Sequence, residues 1–110
     1  MHGLSIETYN KIKDILNKYP ECEFKLFGSR AKGTYKYNSD IDLAIMNCVS
    51  GSVLDEFKTD LYNIDIIYKI DLVIVKDCTN DKLIQNIINE GVDFWWKTLI
   101  TNMKIIQMRY

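Results

Sequence analysis

Three short apolar runs constrain the fold more than anything else in the chain: "CEFKLF" (22–27), "DIDLAIM" (40–46) and "YKIDLVIV" (68–75). Each is too short for a buried helix and rich in β-branched or aromatic residues, which is the pattern of a strand. The stretches around them carry helical spacing instead. Ser5 can cap a first helix with an apolar stripe of Ile6, Tyr9, Ile12, Leu16 and Tyr19, widened by Ile15 and ended by Pro20. A short helix or turn is expected from Ser29, then a polar loop "TYKYNS", a turn at Ser50–Ser52 and a helix from Val53 to about Leu61 with Leu54, Phe57 and Leu61 on one face. "TNDKLIQNIINEG" predicts another helix, started by Thr79 or Asn80, ended by Gly91, with Leu83, Ile84, Ile87 and Ile88 facing inward. Leu99, Met103, Ile106 and Tyr110 predict a last one. The expected architecture is α/β: a small three-stranded central sheet flanked by helices.

A length of 110 residues suits one domain, 1–110, and no repeat, low-complexity tract or linker divides it. Lys and Arg number 14 against 15 Asp and Glu, so the basic excess of a general nucleic-acid binder is missing and no direct nucleic-acid binding is expected. No apolar run approaches the roughly 18 residues of a membrane span, and the first 20 residues mix charge with helical spacing, unlike a signal peptide. Cys22, Cys48 and Cys78 fit neither a zinc spacing nor a paired framework, and read as reduced, buried thiols of a cytoplasmic protein. His2 alone, at a terminus expected to fray, makes histidine chemistry a poor fit.

Asp40 and Asp42 head an otherwise apolar strand. Alternation sends both to one face, about 7 Å apart along the strand, while Ile41, Leu43 and Ile45 anchor the other. Asp71 opens the next such strand, with Ile70, Leu72 and Ile74 on its apolar face. If the strands are neighbours, three carboxylates meet, and they cannot all stay ionised without cations. Oxygen-only donors select hard ions, Mg²⁺ or Mn²⁺, which share their coordination with water and phosphates. For an isolated Asp-x-Asp the preferred reading is a pair of solvated aspartates at a strand end. Gly28-Ser29 precedes a helix or turn, where glycine permits close backbone approach and free N–H groups can receive a phosphate. Taken alone, the same dipeptide is an ordinary N-cap.

Together these parts resemble a known family. Gly28-Ser29, ten intervening residues and Asp40-x-Asp42 form the signature of the DNA polymerase β-type nucleotidyltransferase superfamily. "GSRAKGTYKYNSDIDLAI" is most similar to its minimal, MNT-type members; "YKIDLVIV" resembles their third-carboxylate strand and "LIQNIINEGVDFW" their closing helix and turn. The resemblance spans about residues 12–96 and leaves 97–110 as a C-terminal extension, read as helical. It implies a single nucleotidyltransferase domain with a mixed three-stranded sheet and two-metal chemistry. Asp40 and Asp42 would ligate both Mg²⁺ ions (Mn²⁺ as substitute), Asp71 would ligate one and help take the acceptor proton, and Gly28 and Ser29 would bind the nucleotide. The implied reaction is transfer of a nucleoside monophosphate, AMP from ATP, to a hydroxyl. The implied partner is a HEPN-type toxin, the chain acting as its antitoxin, with homo-oligomers also open. A binding-only antitoxin and a small-molecule transferase are the competing readings.

Asp65 shares the parity of Asp71 but lies near Asn63 in an expected connection, so Asp71 is preferred. Arg30, Lys32 and Lys36 read either as triphosphate-neutralising cations or as solvated loop cations. Tyr35 and Tyr37 could stack on a base, face a partner or cover nearby surface. The adjacent Phe94, Trp95 and Trp96 cannot all face one core, which leaves at least one for the surface or an interface.

Overall fold

The computed structural model describes residues 2–47 and 49–93; the expected last helix, the 97–110 extension, the Phe94–Trp96 cluster and Cys48 lie outside them. Helix α1 (Ile6–Leu16) starts where expected, because the Ser5 hydroxyl accepts the Thr8 N–H at 3.1 Å. Its buried stripe is Thr8, Tyr9, Ile12 and Leu16, whereas Ile6 is 68% exposed: it lies in the first turn, off the face that meets the sheet. The strands are β1 (Phe24–Phe27), β2 (Ile41–Ile45) and β3 (Ile70–Ile74). Between them lie α2 (Gly28–Lys32) and α3 (Gly51–Tyr62), the latter capped by Ser50 accepting the Val53 N–H at 3.3 Å. Gly51 and Ser52, expected in a turn, therefore already belong to α3.

A 3₁₀ turn (Val75–Asp77) leads to α4 (Asp81–Glu90), where the Asn80 side chain accepts the Leu83 N–H at 3.1 Å. Leu83 and the buried Ile87 face the sheet, but Ile88 is 51% exposed, because a helix on a small sheet buries a narrower stripe than four apolar residues offer. The sheet has four strands, not three. A two-residue strand, β4 (Val92–Asp93), follows α4 and pairs antiparallel with β1, giving the order β3-β2-β1-β4. β1 and β2 are antiparallel and β2 and β3 parallel, so the expected mixed sheet is present. Two residues are too few to show alternation, which is why β4 left no signal.

Two apolar layers follow from strand parity. Phe24, Leu26, Ile41, Leu43 and Ile45 pack with α1 and α3, centred on Phe57, whose ring meets Phe24 at 5.0 Å and Tyr19 edge-on at 5.2 Å. Tyr19 Oη donates to Asp60 on α3, which Lys18 also contacts at 2.9 Å, fastening the end of α1 to α3. The opposite face is smaller: Phe27, Ala44 and Val73 lie under Ile87 and Leu83 of α4. Asp42 and Asp71 stand two residues before Ala44 and Val73 and share that second face. No described helix is long and apolar enough to cross a membrane.

Candidate active site

Register decides which aspartates meet. Asp42 on β2 lies opposite Phe27 on β1 and beside Asp71 on the parallel β3. Neighbouring strands run about 4.8 Å apart, so the two carboxylates leave the same face as direct neighbours. Asp40 immediately precedes β2 with the parity of Asp42 and is exposed. Asp42 is half-buried, and its carboxyl is pushed above the usual aspartate range first by that burial, then by the charges of Asp71 and Asp40. Asp71 Oδ1 lies 3.4 Å from Lys69 Nζ. Asp65 is elsewhere: it sits in the connection before β3, its side chain fully solvated, 3.9 Å from Lys11.

The glycine of Gly28-Ser29 has a specific physical cause. Gly28 follows Phe27, the β1 partner of Asp42, with φ +73°, and a Cβ there would collide with Asp42 Oδ2. The turn is thus pressed directly against the carboxylate. Gly28 is itself the first residue of α2, Phe27 precedes it as cap, and no side chain caps the turn. With five residues α2 carries little macrodipole, so what it offers an anion is its first N–H groups.

Arg30 is neither of the things expected of it. It is 1% exposed, and its guanidinium is spent on backbone carbonyls: Nε and Nη2 donate to Ser39 O at 3.1 and 2.7 Å, Nη1 to His2 O at 2.9 Å, and Nη2 to Tyr37 O at 3.4 Å. It lies 5.3 Å from the Tyr35 ring centroid and 4.7 Å from that of Tyr68. His2 is accordingly anchored instead of frayed, and burial lowers its imidazole pKa. Carbonyl partners leave no trace in a sequence, so nothing marked this arginine as buried. Lys32 pairs with Glu90 of α4 at 2.7 Å, while Lys36 and Tyr37 are exposed. Cys22 is buried and Cys78 half-buried, and neither forms a disulfide.

Among the described residues, no group of three or more His, Cys, Asp and Glu side chains already stands at ligand distances around one point. The donor set nevertheless fits a hard cation: it is all carboxylate oxygen, two of its members are in register, and a cation would relieve the repulsion that Asp42 feels. A cleft of about 480 Å³ with a mixed lining that includes Lys58, Leu61, Tyr62, Tyr68, Ile70 and Leu72 opens on the α3 side of the sheet, away from these carboxylates.

Residues 10–97 match the family model described as "Polymerase beta, Nucleotidyltransferase". The chain belongs to this nucleotidyltransferase family. No curated protein sequence matches it. Solved structures do. A toxin–antitoxin crystal structure with AMP-PNP is 27% identical, covers 92% of this chain and 86% of its own, and superposes with a TM-score of 0.58. A MntA–HpeT toxin–antitoxin carrying a double Asp-to-Glu mutation, two positions apart, is 25% identical over the same 92% and 86%, with a TM-score of 0.57. A Tyr-to-Ala mutant of MntA–HpeT shares the fold at 24% identity and TM-score 0.53, covering 91% and 89%. The resemblance to minimal nucleotidyltransferases, first seen in the Gly-Ser and Asp-x-Asp motifs, thus extends to the fold.

The register gives a direct comparison for this nucleotidyltransferase. If Asp71 is a metal ligand, Asp71→Asn should lower transfer by about 100-fold or more with the fold retained, since loss of even a residue supporting a metal ligand costs roughly 10–100-fold. Asp65→Asn should change it less than about twofold, because Asp65 lies in the connection with only a solvated ion pair to Lys11. Steady-state transfer rates with matched circular dichroism spectra check both.

Proposed function

We propose that this chain transfers AMP from ATP to a hydroxyl of a partner protein in the cytoplasm, as the antitoxin of a HEPN-type toxin. The observation that carries the reading is the Asp42–Asp71 pair in register, with Asp40 beside it and the Gly28-Ser29 turn pressed on Asp42, in a member of a nucleotidyltransferase family. The toxin–antitoxin structure with AMP-PNP, similar along 92% of the chain, supports both the nucleotide and the kind of partner.

In this reading Asp40 and Asp42 would hold two Mg²⁺ ions, for which Mn²⁺ could substitute, and Asp71 would hold one of them. The ions would neutralise the triphosphate and stabilise the attacking and leaving oxygens of an in-line displacement. Gly28 and the first N–H groups of α2, with the Ser29 hydroxyl, seat the phosphates. The acceptor oxygen bonds to the α-phosphorus, the bond from that phosphorus to the α–β bridging oxygen breaks, and pyrophosphate leaves. Asp71 helps take the proton of the acceptor hydroxyl.

The test is incubation with Mg²⁺, α-labelled ATP and the product of the neighbouring gene. The reading expects label on that product, dependent on metal and lost in Asp42→Asn. A stable complex without label would favour neutralisation by contact alone. Label on a small molecule, with no complex, would favour the small-molecule transferase.

A further inference from the structure

We propose that Arg30 is a positioning residue for the carboxylate site: its guanidinium locks together the three segments that deliver Gly28-Ser29, Asp40–Asp42 and Asp71. The inference rests on the metal-site reading above and adds to it the part that builds the site.

Burying a guanidinium is costly unless its charge and donors are satisfied. Among the described residues no carboxylate pairs with Arg30; three backbone carbonyls and two tyrosine rings do the work instead. The identity of those partners is the informative part. Arg30 stands two residues after Gly28 on α2. It donates two hydrogen bonds to the carbonyl of Ser39, the residue before Asp40. It lies against the ring of Tyr68, three residues before Asp71. The neighbouring Lys69 carbonyl accepts the Ile41 N–H at 2.9 Å, which closes the β2–β3 ladder at the end where the aspartates sit. One planar group therefore touches or directly adjoins every segment that feeds the site.

The carboxylates cannot do this for themselves. Asp42 and Asp71 are like charges in register on neighbouring strands, with Asp40 beside them, so their approach must be imposed from outside until a cation arrives. Carbonyls on two edges of the guanidinium and rings near it demand a rigid planar fork. A lysine ammonium, a point charge on a flexible stem, cannot reproduce it.

A merely structural arginine would cost stability and leave the metal site of the folded fraction alone. The experiment therefore measures Mn²⁺ binding by electron paramagnetic resonance, and transfer against metal concentration, on full-length Arg30→Lys and Tyr68→Leu, each well below its own melting temperature. Asp42→Asn serves as control. The expected result is a Mn²⁺ dissociation constant raised about 10-fold or more in Arg30→Lys, with a smaller rise in Tyr68→Leu. The metal concentration for half-maximal rate should rise more than the saturated rate falls. If Arg30→Lys does not fold, Tyr68→Leu alone decides. Wild-type Mn²⁺ affinity in the folded variants, with Asp42→Asn impaired, overturns the positioning role and leaves the metal site standing. Wild-type affinity in Asp42→Asn overturns the metal site, and the positioning role with it.

Discussion

Asp42→Asn is expected to make the metal-free domain more stable while abolishing its chemistry. The Asp42 carboxyl titrates above its ordinary value of 3.8 because it is half-buried and faces Asp71 and Asp40. A carboxyl whose pKa is raised by folding holds its proton more tightly in the native state. Its contribution to stability is therefore most favourable below pH 3.8 and is lost as pH rises through the folded pKa. Asparagine has no charge to lose. The variant should melt higher than wild type at neutral pH, and the difference should vanish in acid. A like-charged cross-strand neighbour costs up to about 1 kcal/mol, which corresponds to at most ~4–8 °C in a domain of this size. Mg²⁺ should raise the melting temperature of wild type but not of the variant, since only a native site binds it. Transfer should fall by about 100-fold or more, as for loss of a metal contact. Thermal melts at about pH 3 and pH 7, with and without Mg²⁺, check the signs. A variant less stable than wild type at neutral pH would mean that Asp42 serves the fold and not a site.

The largest loss of stability is expected at Phe57. It is fully buried, and its ring joins α3 to Phe24 of β1 and to Tyr19 beyond α1. Phe57→Ala should cost about 3–5 kcal/mol, because the lost transfer energy is joined by a cavity that the rigid sheet cannot close. That is a large part of the 5–15 kcal/mol typical of whole domains. Urea unfolding should show a much lower midpoint with the slope unchanged. Phe57 lies on the face of the sheet opposite Asp42, so Mn²⁺ affinity of the folded fraction should stay within about twofold of wild type.

Much of this site was readable because it is written in alternation. Ile41, Leu43 and Ile45 demand one face, so Asp40 and Asp42 had to take the other, and Ile70, Leu72 and Ile74 place Asp71 in the same way. The Ser5, Ser50 and Asn80 caps follow from short polar side chains ahead of helical patterns. What stayed hidden depends on contacts without a side-chain code. Arg30 is satisfied by carbonyls, β4 is two residues long, and Gly28 is required by the position of one Asp42 oxygen. Ile6 and Ile88 continue their apolar stripes in sequence, but both are exposed, because each helix buries a narrower stripe than its apolar residues offer. The fourth strand also shows where a short closing segment finds its partner: Lys25 of β1 lies opposite Asp93 and pairs with it at 3.8 Å.

If Asp40, Asp42 and Asp71 bind metal–triphosphate against the Gly28-Ser29 turn, the protein should bind an inert triphosphate in a metal-dependent way. Calorimetric titration with an ATP analogue carrying a methylene bridge between the α- and β-phosphates tests it without turnover. Wild type should show saturable binding that requires Mg²⁺ or Mn²⁺ and disappears in Asp42→Asn. Equal affinity in the two proteins, unchanged by removing the metal, would contradict it.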